Sequence, residues 1–391
     1  MNPPTSAADL ASSEPDLMLD VRTQEMQINM GPQHPSTHGV LRVGIWVDGE
    51  IVTKAEPEIG YLHRCAEKIG ESVTYVQYVP YTDRYDYLAA MNNNLGYCLA
   101  VEKLAELQVP LRAQFIRTIA VEMNRIASHL IAFGTYGLDV GAFTPFFFGM
   151  REREGILALL ERLCGARLTY NYIRVGGVMR DIPAGWIEDC LAFLDVFEKR
   201  WVEYNKLLTF NHIFVQRTAR VGVLPVEVAL QYGCTGPVLR GSGVKWDLRR
   251  NDPYLLYDQF EFDIPVGNGE MGALGDCWDR YWVRMREMLE SAKIVRQAIK
   301  QLPEGAVMAE DVKLLAFKCK AGEGYQRVEN PRGELGYYLI SEGGQISYRS
   351  RVRSPSFCNL SVLEAMLPGT MLADAVAIIG SIDIVLGEVD R

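Results

Sequence analysis

The chain has little histidine, no paired cysteines, no excess of positive charge and no long uncharged run. Each shortage removes a class of function. Its eight cysteines stand at 65, 98, 164, 190, 234, 277, 319 and 358, and even the closest neighbours, Cys164 and Cys190, are far apart. No Cys-x-x-Cys or other tight spacing exists, which argues against an iron–sulfur or structural zinc site held by this chain alone. Scattered cysteines of a cytosolic chain read instead as small buried apolar residues. With 40 basic against 49 acidic side chains the net charge is −9, so there is no global basic field for nucleic acid. No uncharged stretch reaches the roughly 18 residues that a spanning helix needs. The best candidates, 130–150 and 371–387, are broken by Asp139, Pro145 and glycines in the first and by Asp374 and Asp383 in the second. The expectation is a soluble chain, or one held at a membrane by partners. Residues 1–20 lack the Arg or Lys that a signal or transit peptide carries, so the chain is expected to work where it is made, in a bacterial-type cytoplasm.

What is present is the profile of an ordered protein, with 48% apolar and 23% charged residues in 391. No repeat, low-complexity tract or linker divides it, and one large α+β domain is favoured over two or three smaller ones. The expected organisation is a flexible arm over 1–24 and a domain over 25–391. Within that domain, 25–57 forms a small sheet, 65–302 is mainly helical and 312–391 is mixed. Strands are expected at Glu25–Met30, Val40–Val47 and Ile51–Ala55, because Asp48-Gly49 between alternating runs is a strong hairpin signal. Helices are expected at Asn92–Leu107, Arg112–Phe133, Pro145–Cys164, Gly185–Leu208 and Asp276–Leu302, the last with a basic, solvated outer face. A second hairpin joins Leu335–Ser341 to Ile346–Val352 through Glu342-Gly343-Gly344, and a helix near Val362–Met366 precedes a buried apolar run to the end.

Two of the five histidines fall within Gly31-Pro32-Gln33-His34-Pro35-Ser36-Thr37-His38-Gly39. Prolines fix φ there and glycines permit reversals, so a loop holds His34 and His38 out from the flanking strands. Such loops carry function more often than packing, although a surface turn with capping histidines reads equally well from these residues alone. Spacing of His34 and His38 by four would suit zinc on a helix, but Pro35 and the missing general-base Glu make a metal site improbable. Glycines at 241, 243, 267, 269, 272 and 275 lack the strand–helix context of a nucleotide loop. Tyrosines at 75, 78, 81, 85 and 87 beside Arg84 and Asp86 suit either an aromatic pocket or partly buried interface packing.

Taken together, several stretches resemble one family. They are Gly31 to Gly39, Ile59-Gly-Tyr-Leu-His-Arg64, Arg84-Tyr-Asp-Tyr87, Glu122-Met-Asn-Arg-Ile-Ala-Ser-His129, Thr144-Pro-Phe-Phe, Arg151-Glu-Arg-Glu154, Asn171-Tyr-Ile-Arg-Val-Gly-Gly177, Arg240-Gly-Ser-Gly243 and the terminal Gly387 to Arg391. In this order the chain resembles the 49-kDa-type, or D-type, subunit of proton-pumping NADH–quinone oxidoreductase, respiratory complex I.

The resemblance implies a fold similar to the nickel–iron hydrogenase large subunit, without that enzyme's metal-binding cysteine pairs. It implies a cavity that accepts a quinone headgroup where the metal would have been. By the family's roles, His38 and Tyr87 would hydrogen-bond the two quinone oxygens, and Asp139 would pair with His38. His34 and Thr135 would line the same cavity, and Arg64 and Arg84 would lie beside a [4Fe–4S] cluster held by a partner. A quinone needs two electrons and two protons, and a carboxylate neighbour raises a histidine's pKa, which keeps a proton at hand. The implied complex is a proton-translocating NADH:quinone oxidoreductase on the cytoplasmic face of the bacterial inner membrane. FMN and iron–sulfur clusters would sit in other subunits, and the direct partners would be of the B, C, H and I types. Two further readings are a non-catalytic assembly scaffold and a metal-free hydrogenase-like subunit of a related membrane complex. Thr169 stands where the family often has a histidine near the cluster, which predicts a weaker pH dependence of the cluster's potential. The stretch 303–331 is compressed against most members, and Asp383-Ile384-Val385 replaces the commoner Asp-Pro-Val.

Overall fold

The computed structural model describes residues 24–34, 37–310, 312 and 316–391. The expected arm over 1–24 therefore lies, except for Gln24, outside the described residues, as do Pro35 and Ser36 of the histidine loop.

Strands β1 (Glu25–Met30), β2 (Arg42–Asp48) and β3 (Ile51–Glu58) form an antiparallel sheet in that order. Val43, Ile45 and Val47 of β2 are buried. An irregularity in register between Trp46 and Val47 displaces the turn by one residue, so Asp48 pairs with Ile51 and Gly49-Glu50 makes the reversal. The histidine loop joins β1 to β2 above the Met30–Val43 pair. Gly31 begins it at φ 85°, where a Cβ would come within 2.0 Å of the Leu41 carbonyl oxygen, so only glycine fits.

The middle is helical: α1 (Ala90–Ala105), α2 (Leu111–Asp139), α3 (Phe143–Cys164), α4 (Trp186–Tyr204) and α5 (Cys277–Gln301). Helix α2 runs six residues beyond the expected end, which places Thr135 and Asp139 on a helix. It is buried nearly all round, polar residues included, rather than on one stripe. Helix α5 keeps its expected basic, solvated face, with Arg286, Lys293 and Lys300 exposed. Its other arginines turn inward: Arg280 and Arg284 are buried and each donates to main-chain carbonyls, Arg280 to Gly275 and Gly222 and Arg284 to Ser381 and Ile382. Ser381 and Ile382 end α6 (Leu372–Ile382), so Arg284 caps that helix with positive charge.

A second antiparallel sheet contains β4 (Ala321–Asn330), β5 (Gly333–Glu342) and β6 (Arg349–Arg353). The expected second hairpin exists as β5–β6, but β6 starts at Arg349 rather than Ile346. Strand β4 was not expected. Its glycines and charges hide the alternation, and its buried Glu329 and Asn330 are tolerated because both are partnered. The terminal run forms α6 and a short helix, Leu386–Asp390, whose Asp390 carboxylate accepts from the Gly60 and Leu62 amides at 2.9 and 2.6 Å.

The tyrosine-rich stretch is a helix at Tyr75–Thr82 capped by Thr74 and Gln77. Tyr75, Tyr78 and Tyr85 are core residues: the Tyr78 and Tyr85 hydroxyls share a hydrogen bond of 2.6 Å, and Tyr78 packs edge-on against Tyr97. Tyr87 stands apart and is half-buried. Among the described residues no helix is long and apolar enough to cross a membrane.

Candidate functional site

The histidine loop is closed from within. The Thr37 amide and hydroxyl both donate to the His34 carbonyl, at 3.2 and 2.9 Å, and Thr37 itself is buried. His38 follows in the left-handed region at φ 49° and Gly39 at φ 126°, so the chain reverses directly after the imidazole. That reversal aims His38 at the end of α2, where its Nε2 lies 3.1 Å from Asp139 Oδ2. The two side chains are 15% and 5% exposed. Gly380 of α6 backs the carboxylate: a Cβ there would stand 2.6 Å from the same Asp139 oxygen.

Burial of the His38 ring opposes its charged form, but the hydrogen bond and charge of Asp139, with Asp383 adding to them, outweigh it and raise its pKa. Arg332 acts in the other direction on His38, and it also acts on Tyr87. Burial raises the Tyr87 pKa, Arg332 and Arg64 oppose the rise, and Asp86 adds to it, so the phenol keeps its proton at neutral pH. Arg332 thus sits within the field of both rings. It occupies the turn between β4 and β5 and is buried. It donates to Asp86 Oδ2 at 2.8 Å, to Ser128 Oγ at 3.1 Å and to the Asp383 carbonyl at 2.8 Å, and it pairs with the Asp383 carboxylate at 3.3 Å. Asp86 precedes Tyr87 in the chain, and Asp383 acts on His38, so one guanidinium ties the two sides together.

The other expected residues divide. Thr135 lies one turn before Asp139 on α2, half-buried, its hydroxyl donating to the Ile131 carbonyl at 2.9 Å. His34 forms an isolated bridge with Gly39 at the exposed base of the loop. Arg64 and Arg84 are both exposed and adjacent: Arg64 Nη2 donates to the Arg84 carbonyl at 2.6 Å, while Arg84 reaches the Pro80 carbonyl. Thr169 lies two residues before Asn171, whose amide donates to Asp83, the neighbour of Arg84. Burial pushes the Asp83 carboxyl up to about 7 against the Asn171 amide and Arg84. Sequence reading noted Asp86 beside the tyrosines without giving it a role, and missed Arg332 and Gly380; for Arg332 the Asn330-Pro331-Arg332-Gly333 turn was the only signal.

Deeper in, a buried charge cluster joins α2, α5, β4 and the segment 240–249. Arg240 pairs with Glu329 at 2.7 Å and with Glu287, Arg249 pairs with Asp247 at 2.7 Å and Glu122 at 3.3 Å, and His129 Nε2 meets Glu287 Oε2 at 2.8 Å. Burial opposes ionisation of Glu287, yet Arg240 and His129 hold its pKa low, whereas burial lowers that of His129. His129 is therefore neutral, its Nε2–H donated to Glu287. Among the described residues no three His, Cys, Asp or Glu side chains are gathered as metal ligands.

Comparison with known proteins agrees with the motif reading. Residues 139–391 match the family described as the 49-kDa subunit of the respiratory-chain NADH dehydrogenase. The chain is 53% identical to the D-type subunit of the NADH-quinone oxidoreductase of Chlorobaculum tepidum, over 95% of this chain and 94% of the relative. It is also 53% identical to a D-type subunit of the same enzyme from an Anaeromyxobacter species, over 95% and 98% of the two chains. The D-type subunit from Chlorobium phaeovibrioides gives 53% over 96% and 94%.

Proposed function

The chain belongs to the 49-kDa subunit family of the respiratory-chain NADH dehydrogenase, and from that premise we propose that it forms the quinone-reduction chamber of an NADH:quinone oxidoreductase. The observation that carries this reading is the His38–Asp139 pair, with the protonated Tyr87 in the field of the same Arg332 that acts on His38. Reduction of a quinone to a quinol adds two electrons and two protons. Negative charge develops on the two carbonyl oxygens, and each needs a preorganised donor. An imidazolium held by Asp139 supplies one proton and a neutral phenol the other. Thr135 and His34 contribute to the chamber wall.

The electrons come from a [4Fe–4S] cluster in a B-type partner, with FMN further upstream in the complex. Arg64 and Arg84 present positive charge to that cluster and favour its reduced form. Subunits of the C, H and I types complete the surroundings, the H-type membrane protein joining this chamber to the arm that translocates protons. In this reading residues 25–391 act as one domain of hydrogenase large-subunit type, at the cytoplasmic face of the membrane.

The test is Tyr87→Phe and His38→Ala in the assembled complex. Each is expected to lower quinone reduction by on the order of 10²-fold, the scale of a lost general acid, with assembly and electron entry unchanged. Normal rates and quinone affinity in both variants, with the complex intact, would favour the scaffold reading instead.

A further inference from the structure

Three buried side-chain atoms without a hydrogen-bond partner belong to residues around one small internal cavity: His129 Nδ1, Arg284 Nε and Asp383 Oδ2. Every residue lining this cavity is buried. Unpartnered polar atoms inside a protein are costly, and gathering three of them at one place by chance is improbable. Arg284 Nε and Asp383 Oδ2 face each other at 3.7 Å, too far for a direct hydrogen bond. A water beside such a pair can accept from the guanidinium and donate to the carboxylate. The cavity measures about 10 Å³, the size of site that holds one water of roughly 10–15 Å³ by the same measure.

We propose that this cavity is a specific site for one bound water that joins the chamber to the buried charge cluster. The inventory of donors and acceptors fits a single molecule. Water accepts from Arg284 Nε–H, and it donates to Asp383 Oδ2 and to His129 Nδ1. The last assignment follows from His129 being neutral with its Nε2–H on Glu287, which leaves Nδ1 as an acceptor. Filled in this way, an unbroken hydrogen-bonded line runs from Glu287 through His129 and the water to Asp383, which lies in the field of His38. The site stands on its own geometry and does not depend on what the chamber reduces.

The direct test is a density map of the assembled complex at a resolution that shows ordered water. The expected result is one peak at hydrogen-bonding distance from Arg284 Nε, Asp383 Oδ2 and His129 Nδ1. A cavity without density, or Arg284 Nε bonded directly to Asp383, would overturn the proposal. Ala132, on the cavity wall, gives a second reading through Ala132→Val. The peak is expected to vanish from the map of that variant; a peak that persists beside the valine would contradict the proposal. If that variant fails to assemble, the map of the unaltered complex decides alone.

Discussion

Asp139 ends a helix of 29 residues, where the macrodipole disfavours a carboxylate. His38 in its protonated form offsets that cost, and the two groups stabilise each other's charge. The folded-state pKa of His38 lies above its ordinary 6.5, so the stabilisation is complete below that pH and is lost as pH rises through the raised value. Asp139→Asn is therefore expected to destabilise the chain by about 1.5–3 kcal/mol at pH 6, the worth of a charged hydrogen bond, with the gap closing as the pH rises. Chemical unfolding of both forms across that range checks it, and a gap that widened with pH would be the wrong sign. Gly380 offers a finer probe, because Gly380→Ala leaves every ionisable group in place. A Cβ 2.6 Å from Asp139 Oδ2 must push the carboxylate off His38. Quinone reduction is expected to fall on the order of tenfold, about 1.4 kcal/mol in the barrier, and its alkaline limit to move to lower pH.

At the scale of elements, legibility followed the strength of the local signal. The first hairpin and the long helices could be read because apolar periodicity and Asp48-Gly49 speak locally. The end of α2 could not: Gly134, Gly137 and the polar Thr135 and Asp139 weaken the stripe, and packing of α3 and α6 holds the last turns helical. Strand β4 was hidden for the opposite reason, since its buried Glu329 and Asn330 look like surface residues until their partners Arg240 and Glu388 are seen. Of the candidate site, the motifs carried His38 and Tyr87, and Asp139 came from the family's roles; its contact with His38 is what the fold adds. Arg332 was not legible, because its role depends on Asp86 and Asp383, which the fold brings from remote parts of the chain. The β4–β5 turn places that guanidinium between the two carboxylates. Arg332→Leu leaves Asp86 buried without a counter-charge and Asp383 with Arg284 alone, and is expected to cost about 3–5 kcal/mol, read as a lower melting temperature. An exposed arginine changed likewise, Arg84→Leu, is expected to cost under about 1 kcal/mol.

Over the whole molecule, the end of the chain secures its beginning. The Val52 amide donates to the Thr370 carbonyl and the Gly369 amide to the Val52 carbonyl, at 2.9 and 2.7 Å, while Asp390 grips Gly60 and Leu62. The sheet behind the histidine loop and the exposed pair Arg64–Arg84 are thereby fixed to one frame. If, as proposed, a partner's cluster sits against that face, Thr169 offers it no titrating side chain, and its potential is expected to vary little with pH. Burial pushes the nearby Asp83 carboxyl up to about 7, so Asp83→Asn should flatten any slope that remains. A redox titration of the assembled complex across neutral pH checks both; a full slope that survives Asp83→Asn would count against them.

The chamber itself is tested most directly by a structure of the assembled complex with a short-chain quinone bound. The expected result is the headgroup with one carbonyl oxygen within hydrogen-bonding distance of the His38 ring and the other at the Tyr87 hydroxyl. A headgroup bound elsewhere, with His38 still on Asp139 and neither residue touching it during turnover, would contradict the proposed chemistry.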